Sequence, residues 1–162
     1  SEILTAAHCV ATEGPTMVAF YADFGAHGDM NQMRKGEPAY LIRKDDVQDV
    51  ALLAVMSAPG PHPIAHLSPI VPVTGDMVHI VGHTLGIPYA YSPGFVDGVR
   101  HMFAPEIGIA GEFVQVWGGA YGGNSGGGLW DLDGRLLGVT SFRAGPLHWF
   151  VSGNAIRSFL NG

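Results

Sequence analysis

Apolar residues in this chain fall in short runs cut by glycine, proline, asparagine and aspartate, and few keep a helical spacing. Runs of this kind predict strands over Met17–Phe24, Pro38–Arg43, Val50–Met56, Met77–Gly82, Phe95–Met102, Glu112–Trp117, Gly128–Asp131, Arg135–Phe142 and His148–Val151. Between two of them, Leu132-Asp133-Gly134 carries the Asp-Gly pair of a hairpin turn. The segment from Ala58 to Pro72 is rich in proline, which fixes the backbone and removes a ladder donor, so pairing should lapse there. That connector divides the chain into two halves, 1–66 and 67–162. Only the tail Asn154–Leu160 reads as a helix, capped by Ser152 or Asn154. The expected class is all-β with a short C-terminal helix.

Composition narrows the classes. The chain is 162 residues long and 47% apolar, with 24 Gly and 11 Pro, which suits short strands and many turns. Charged residues make up 14%, too few for a disordered chain. Net charge is −6, and the only adjacent basic pairs are Arg34-Lys35 and Arg43-Lys44, which argues against nucleic acid as a partner. No apolar run is long enough to span a membrane as a helix. Cys9 is the sole cysteine, so no internal disulfide is possible; it is expected free and buried. His27, His62, His66, His79, His83, His101 and His148 form no zinc-like pattern, and the prolines around His62 and His66 argue against a helix that would align them. No metal and no cofactor is called for.

The chemistry is concentrated in three places. Gly122-Gly123-Asn124-Ser125-Gly126-Gly127-Gly128 sets a serine in a glycine-rich turn. Leu4-Thr5-Ala6-Ala7-His8-Cys9 presents a histidine after an apolar run. Asp49-Val50-Ala51-Leu52-Leu53 presents an aspartate before another. A serine hydroxyl is a weak nucleophile that needs a base within hydrogen-bond reach, and the base needs a carboxylate to fix its tautomer. His8, Asp49 and Ser125 are the candidates for base, carboxylate and nucleophile. Asp45 and Asp46 lack an apolar strand directly after them and are weaker candidates than Asp49. Acyl transfer also builds an oxyanion, for which the N–H groups of Gly123 and Ser125 are the candidate donors. Glycine beside the serine permits the tight turn this requires.

These motifs resemble those of the trypsin-like serine peptidases, in the asparagine form (Asn124) of the compact bacterial HtrA-type members. Gly134-Arg135-Leu136-Leu137-Gly138-Val139-Thr140-Ser141 and Ser92-Pro93-Gly94-Phe95-Val96-Asp97-Gly98 resemble strands of that group too. The resemblance implies two six-stranded antiparallel β-barrels, the first carrying His8 and Asp49, the second Ser125, the oxyanion hole and the specificity pocket. It implies a serine endopeptidase working through an acyl-enzyme on Ser125. The alternative is a catalytically silent domain that binds peptides. The family has two further strands before its histidine motif, whereas this chain starts at Ser1. The first barrel is therefore expected to be truncated, with an edge near Glu2–Ala6 open to an upstream segment or another chain. Asn124 has no charge to pair with a cleaved N-terminal amine, so activation of that kind is not expected.

By the same resemblance, the pocket for the side chain before the cleaved bond is lined by Ala120, Tyr121, Ser141, Phe142, Arg143 and Leu147. No acidic residue stands in 118–121, so cleavage after Arg or Lys is not expected. Phe142 and Leu147 favour small aliphatic side chains; Arg143 and His148, if turned inward, would favour acidic ones. The partner implied is a polypeptide substrate, and the location leans to extracytoplasmic, secreted or virion-associated.

Overall fold

The computed structural model of the chain describes residues 1–10, 14–20, 36–58, 62–119 and 122–162. In the first half, β1 (Glu2–Thr5), β2 (Thr16–Val18), β3 (Glu37–Asp45) and β4 (Val50–Val55) form a four-stranded antiparallel sheet ordered β1-β4-β3-β2. In the second, β5 (Met77–Gly82), β6 (Ala90–Ala104), β7 (Ile109–Gly118), β8 (Gly128–Trp130), β9 (Leu136–Ala144) and β10 (Leu147–Ser152) close a six-stranded barrel ordered β10-β7-β6-β5-β8-β9. The helix α1 (Gly153–Asn161) follows β10. Among the described residues no helix is long and apolar enough to cross a membrane. The run expected over Met17–Phe24 ends as a strand at Val18, and its residues 21–24 lie outside the described residues.

Alternation of side chains decides where each strand's apolar atoms go. On β4, Ala51, Leu53 and Val55 enter a cluster with Ala7, Val10 and Ala39 inside the first sheet. Val50 and Leu52 face the other way, into a cluster with Phe113, Trp149, Val151, Ile156 and Phe159. A strand buried on both faces reads as an unbroken apolar run, which is what Val50–Val55 shows. The second cluster joins the first sheet, the barrel wall and α1. A third, with Val78, Ile80, Val96, Val114, Val116, Leu129, Leu137 and Phe150, fills the barrel.

The turns follow their chemistry. At the β8–β9 hairpin, Asp131 Oδ1 accepts from the N–H groups of Asp133 (3.0 Å) and Arg135 (2.8 Å), while Gly134 takes φ 74°. Ser152 caps α1 by accepting from the Ala155 N–H at 3.1 Å, a contact worth about 1 kcal/mol. The proline-rich connector does not wander free of the barrel: Leu67 bridges Leu136 in parallel, Ser68 donates to Asp131 at 2.8 Å, and Arg157 of α1 donates to the Ser68 carbonyl at 2.9 Å.

Candidate active site

His8 and Asp49 are far apart in sequence and adjacent in space because β1 and β4 are antiparallel neighbours, with Thr5 opposite Ala51. His8 lies on a 3-10 turn over Ala7–Cys9, just after β1; Asp49 lies just before β4. The imidazole Nδ1 stands 3.0 Å from Asp49 Oδ1 and 2.9 Å from Oδ2, and the His8 backbone N–H donates to Oδ1 at 3.0 Å. Asp49 is 3% exposed. A buried carboxylate facing Nδ1 holds the proton there and leaves Nε2 as the acceptor. Asp49 adopts φ 58°, a left-handed backbone that Asp tolerates better than most residues but still at some cost. The neighbouring acids are occupied elsewhere. Asp45 accepts from the Val47 and Gln48 N–H groups, both at 2.9 Å, and builds the turn that delivers Asp49. Asp46 pairs with Lys44 at 2.8 Å.

A further hydroxyl completes the Asp49 shell, and sequence reasoning did not assign it this role. Ser141 donates a hydrogen bond to Asp49 Oδ2. It is 3% exposed, on β9. The reason is a β-bulge: Trp149 pairs with Phe142 and Phe150 with Thr140, so Ser141 is the extra residue. A bulge re-aims a side chain that a regular strand would send elsewhere.

Ser125 sits in the turn between β7 and β8, half-buried. The turn is pinned to β9, since Gly126 donates to the Thr140 carbonyl and Thr140 to the Gly127 carbonyl, both at 2.8 Å. It also abuts β1: a Cβ at Gly126 would strike Thr5 Oγ1 and press on the Ala6 nitrogen. The turn thus lies against the segment that leads into His8. Among the described residues, the Ser125 hydroxyl has no hydrogen-bond partner, and the backbone N–H groups of Gly123 and Ser125 have none either. Gly123 has φ 99°, and a Cβ there would collide with the His83 carbonyl oxygen, so glycine is required. Asn124, 2% exposed, accepts from Thr84 Oγ1 at 2.9 Å, and the Leu85 N–H donates to the Gly122 carbonyl at 2.8 Å. These two bonds brace the serine turn from the 84–86 segment, which no sequence motif had marked.

A cleft of about 480 Å³ runs from Ser125 and Gly123 to Thr5, Cys9 and Met17. Cys9 is free, as expected, but exposed rather than buried, because it ends the 3-10 turn on the cleft wall. Partial shielding of its thiol and the nearby Asp49 charge push its pKa upward, against a hydrogen bond with Thr5, so it is not a poised thiolate.

The expected specificity residues are scattered. Ala120 and Tyr121 lie outside the described residues. Phe142 is drawn to the core, stacked on Trp149 (centroids 5.7 Å apart, planes 9° apart) and edge-on to Phe113. A second cavity, about 300 Å³, is lined by Trp117, Gly118, Gly119, Arg143, Gly145, Pro146 and His148. Of the expected residues that are described, only Arg143 lines it; Phe142 does not, because its ring is committed to aromatic packing, and Ser141 does not, because the bulge turns it to Asp49.

The trypsin-like peptidase domain family matches residues 1–139. A probable periplasmic serine protease (do/HhoA-like) of Haemophilus influenzae is 24% identical over 138 residues, 84% of this chain but 30% of that protein. This chain thus spans under a third of that relative's length. In fold it is similar to the Rv3671c protease of M. tuberculosis in its active form, with TM-score 0.84 and 23% identity over 99% of this chain and 68% of that one. Against the inactive form of the same protease the TM-score is 0.79 at 21% identity, over 99% of this chain and 78% of the other. Matched by that family over most of its length, and built as a closed β-barrel beside a second β-sheet, the chain belongs to the trypsin-like serine peptidases.

Proposed function

We propose that this chain is a serine endopeptidase that forms an acyl-enzyme on Ser125, with His8 as general base and Asp49 as the carboxylate that orients it. The observation that carries the reading is the buried Asp49 carboxylate, which receives His8 through both Nδ1 and the backbone N–H and is closed by Ser141. His8 Nε2 takes the Ser125 proton as Oγ attacks the scissile carbonyl carbon. The carbonyl oxygen gains the electron pair, and the N–H groups of Gly123 and Ser125 are the donors that receive it. As the tetrahedral centre collapses, the C–N bond breaks and the amine leaves with the proton held by His8. Water then attacks the acyl-enzyme by the same route and frees Ser125. A silent peptide-binding module would have no use for a carboxylate buried under a histidine, nor for a glycine turn with two idle N–H donors.

Ser125→Ala should abolish peptide hydrolysis, by roughly 10⁴ to 10⁶ in turnover, and also fluorophosphonate labelling, while the thermal melt stays unchanged. Activity near wild type in a clean Ser125→Ala preparation would remove the assignment. Arg143 at the second cavity repels a substrate Arg or Lys, in keeping with the expected absence of such cleavage. Arg143 and His148 in that cavity also weaken the expectation of small aliphatic substrates, which rested on Phe142 and Leu147. A periplasmic relative supports an extracytoplasmic location. Among the described residues β1 pairs only with β4, so its outer edge is the place proposed for pairing with another strand.

A further inference from the structure

The second cavity has a definite relation to Ser125. The serine turn is pinned to β9 at Thr140, and Arg143 lies three residues further along, about 10 Å at strand spacing. The ladder between β8 and β9 ends at Val139, so past Thr140 that edge of β9 pairs with no strand among the described residues. A peptide laid along 141–143 as an added strand would run its backbone to Ser125 and drop a side chain into the cavity. The cavity is electropositive. The chain has 14 acidic and 8 basic side chains, yet the Arg143 guanidinium has no ion pair or hydrogen bond among the described residues. Four other described cations are engaged, Lys44 with Asp46, Arg100 with Asp97, Arg43 with the Phe159 carbonyl and Arg157 with the Ser68 carbonyl, while Arg135, the remaining described one, is likewise unpaired but lines no part of this cavity. His148 lies opposite Arg143 across the β9–β10 ladder and is 4% exposed. Gly118, Gly119 and Gly145 keep the space open, and Trp117 and Pro146 give apolar walls for methylene groups.

We propose that this cavity receives the substrate side chain preceding the cleaved bond and selects an acidic one, with Arg143 pairing its carboxylate and His148 donating a second hydrogen bond. The proposal rests on the reading of Ser125 as nucleophile. Burial and the Arg143 charge lower the His148 pKa, which favours the neutral ring, a form with one N–H to give. An incoming carboxylate supplies the charge that both groups lack, and charge-assisted bonds of this kind are the strong ones. A basic side chain would meet Arg143 as a like charge, and an aliphatic one would shut a guanidinium away from water without a partner.

The test compares peptides that differ only in Glu or Gln before the scissile bond, which keeps size and changes charge. The intact chain should cleave the Glu peptide roughly tenfold to a hundredfold better in kcat/KM. Arg143→Gln, an exposed position whose fold is checked by circular dichroism, should bring the two peptides level. A Glu:Gln ratio near one, a preference for aliphatic residues, or a ratio that survives Arg143→Gln would overturn the proposal. Binding is read separately, as anisotropy of the same labelled peptides on the Ser125→Ala chain. Tighter binding of the Glu peptide, lost on adding Arg143→Gln, supports the cavity assignment even if no peptide is cut. Equal binding of both peptides overturns it even if Ser125 proves to be the nucleophile.

Discussion

At the scale of single residues, what was legible was chemistry that lies beside its own motif. His8, Asp49 and Ser125 each stand at the edge of an apolar run or in a glycine turn, and local pattern sufficed to nominate them. Ser141 was nominated only as a residue of the substrate pocket. Its bond to Asp49 joins positions 92 apart and depends on a one-residue bulge, which no local pattern records. We expect Ser141→Ala to lower kcat about tenfold with little change in KM, since it loosens the carboxylate proposed to orient His8, while the Ser141 hydroxyl, bonded to Asp49, is not offered to substrate. Ser141→Thr, which keeps the donor, should recover part of the loss; a KM effect as large as the kcat effect would contradict a positioning role. His148 gives a second expectation, on pH. Burial and then the Arg143 charge lower its folded pKa below the ordinary 6.5. The unfolded chain therefore takes up this proton first as pH falls. The stability contribution is complete above about pH 6.5 and is lost on further acidification towards the folded value. His83, lowered by burial, acts in the same direction. The urea midpoint should fall between about pH 7.5 and 5.5, and His148→Gln should shrink that fall without removing it. An unchanged pH dependence in the variant would show that His148 is not the group being protonated.

Elements were easier to read than their ends. The strand over Met77–Gly82 was read as it stands, because proline and glycine bound it on both sides. By contrast β6 runs from Ala90 to Ala104, well beyond Phe95–Met102, since pairing with both β5 and β7 carries Pro93 and Gly94 into the ladder despite their poor strand propensity. The serine turn shows the same limit. Its glycines were legible as a turn, but not the segment that braces it. Because Gly123 sits at φ 99° against the His83 carbonyl, Gly123→Ala should displace the turn. We expect kcat to fall roughly 10²- to 10³-fold, the range for one oxyanion donor, with a loss of stability of about 1–3 kcal/mol. Kinetics and denaturation of the same preparation would check both. A stable, fully active Gly123→Ala enzyme would mean that the Gly123 N–H receives no oxyanion.

For the molecule as a whole, the division into two halves was visible in the proline-rich connector, but the way they are joined was not. The join is the cluster in which Val50 and Leu52 of β4 meet Phe113, Trp149 and Val151 of the barrel wall and Ile156 and Phe159 of α1. Asp49 directly precedes Val50, so the packing that binds the halves also fixes the carboxylate relative to the barrel that carries Ser125. Phe159 lies at the far side of this cluster, 6% exposed, with the Arg43 guanidinium 5.2 Å from its ring centroid and bonded to its carbonyl. Phe159→Ala removes a buried ring and should cost about 3–5 kcal/mol. In a domain of this size that lowers the melting temperature by roughly 10 °C. Because one cluster serves both halves, the variant should still melt in a single transition, and fluorophosphonate labelling should vanish along the same curve as the near-ultraviolet signal. Two separated transitions, or labelling that outlasts the loss of the first sheet, would mean that the halves fold independently and that Asp49 is held from within its own sheet.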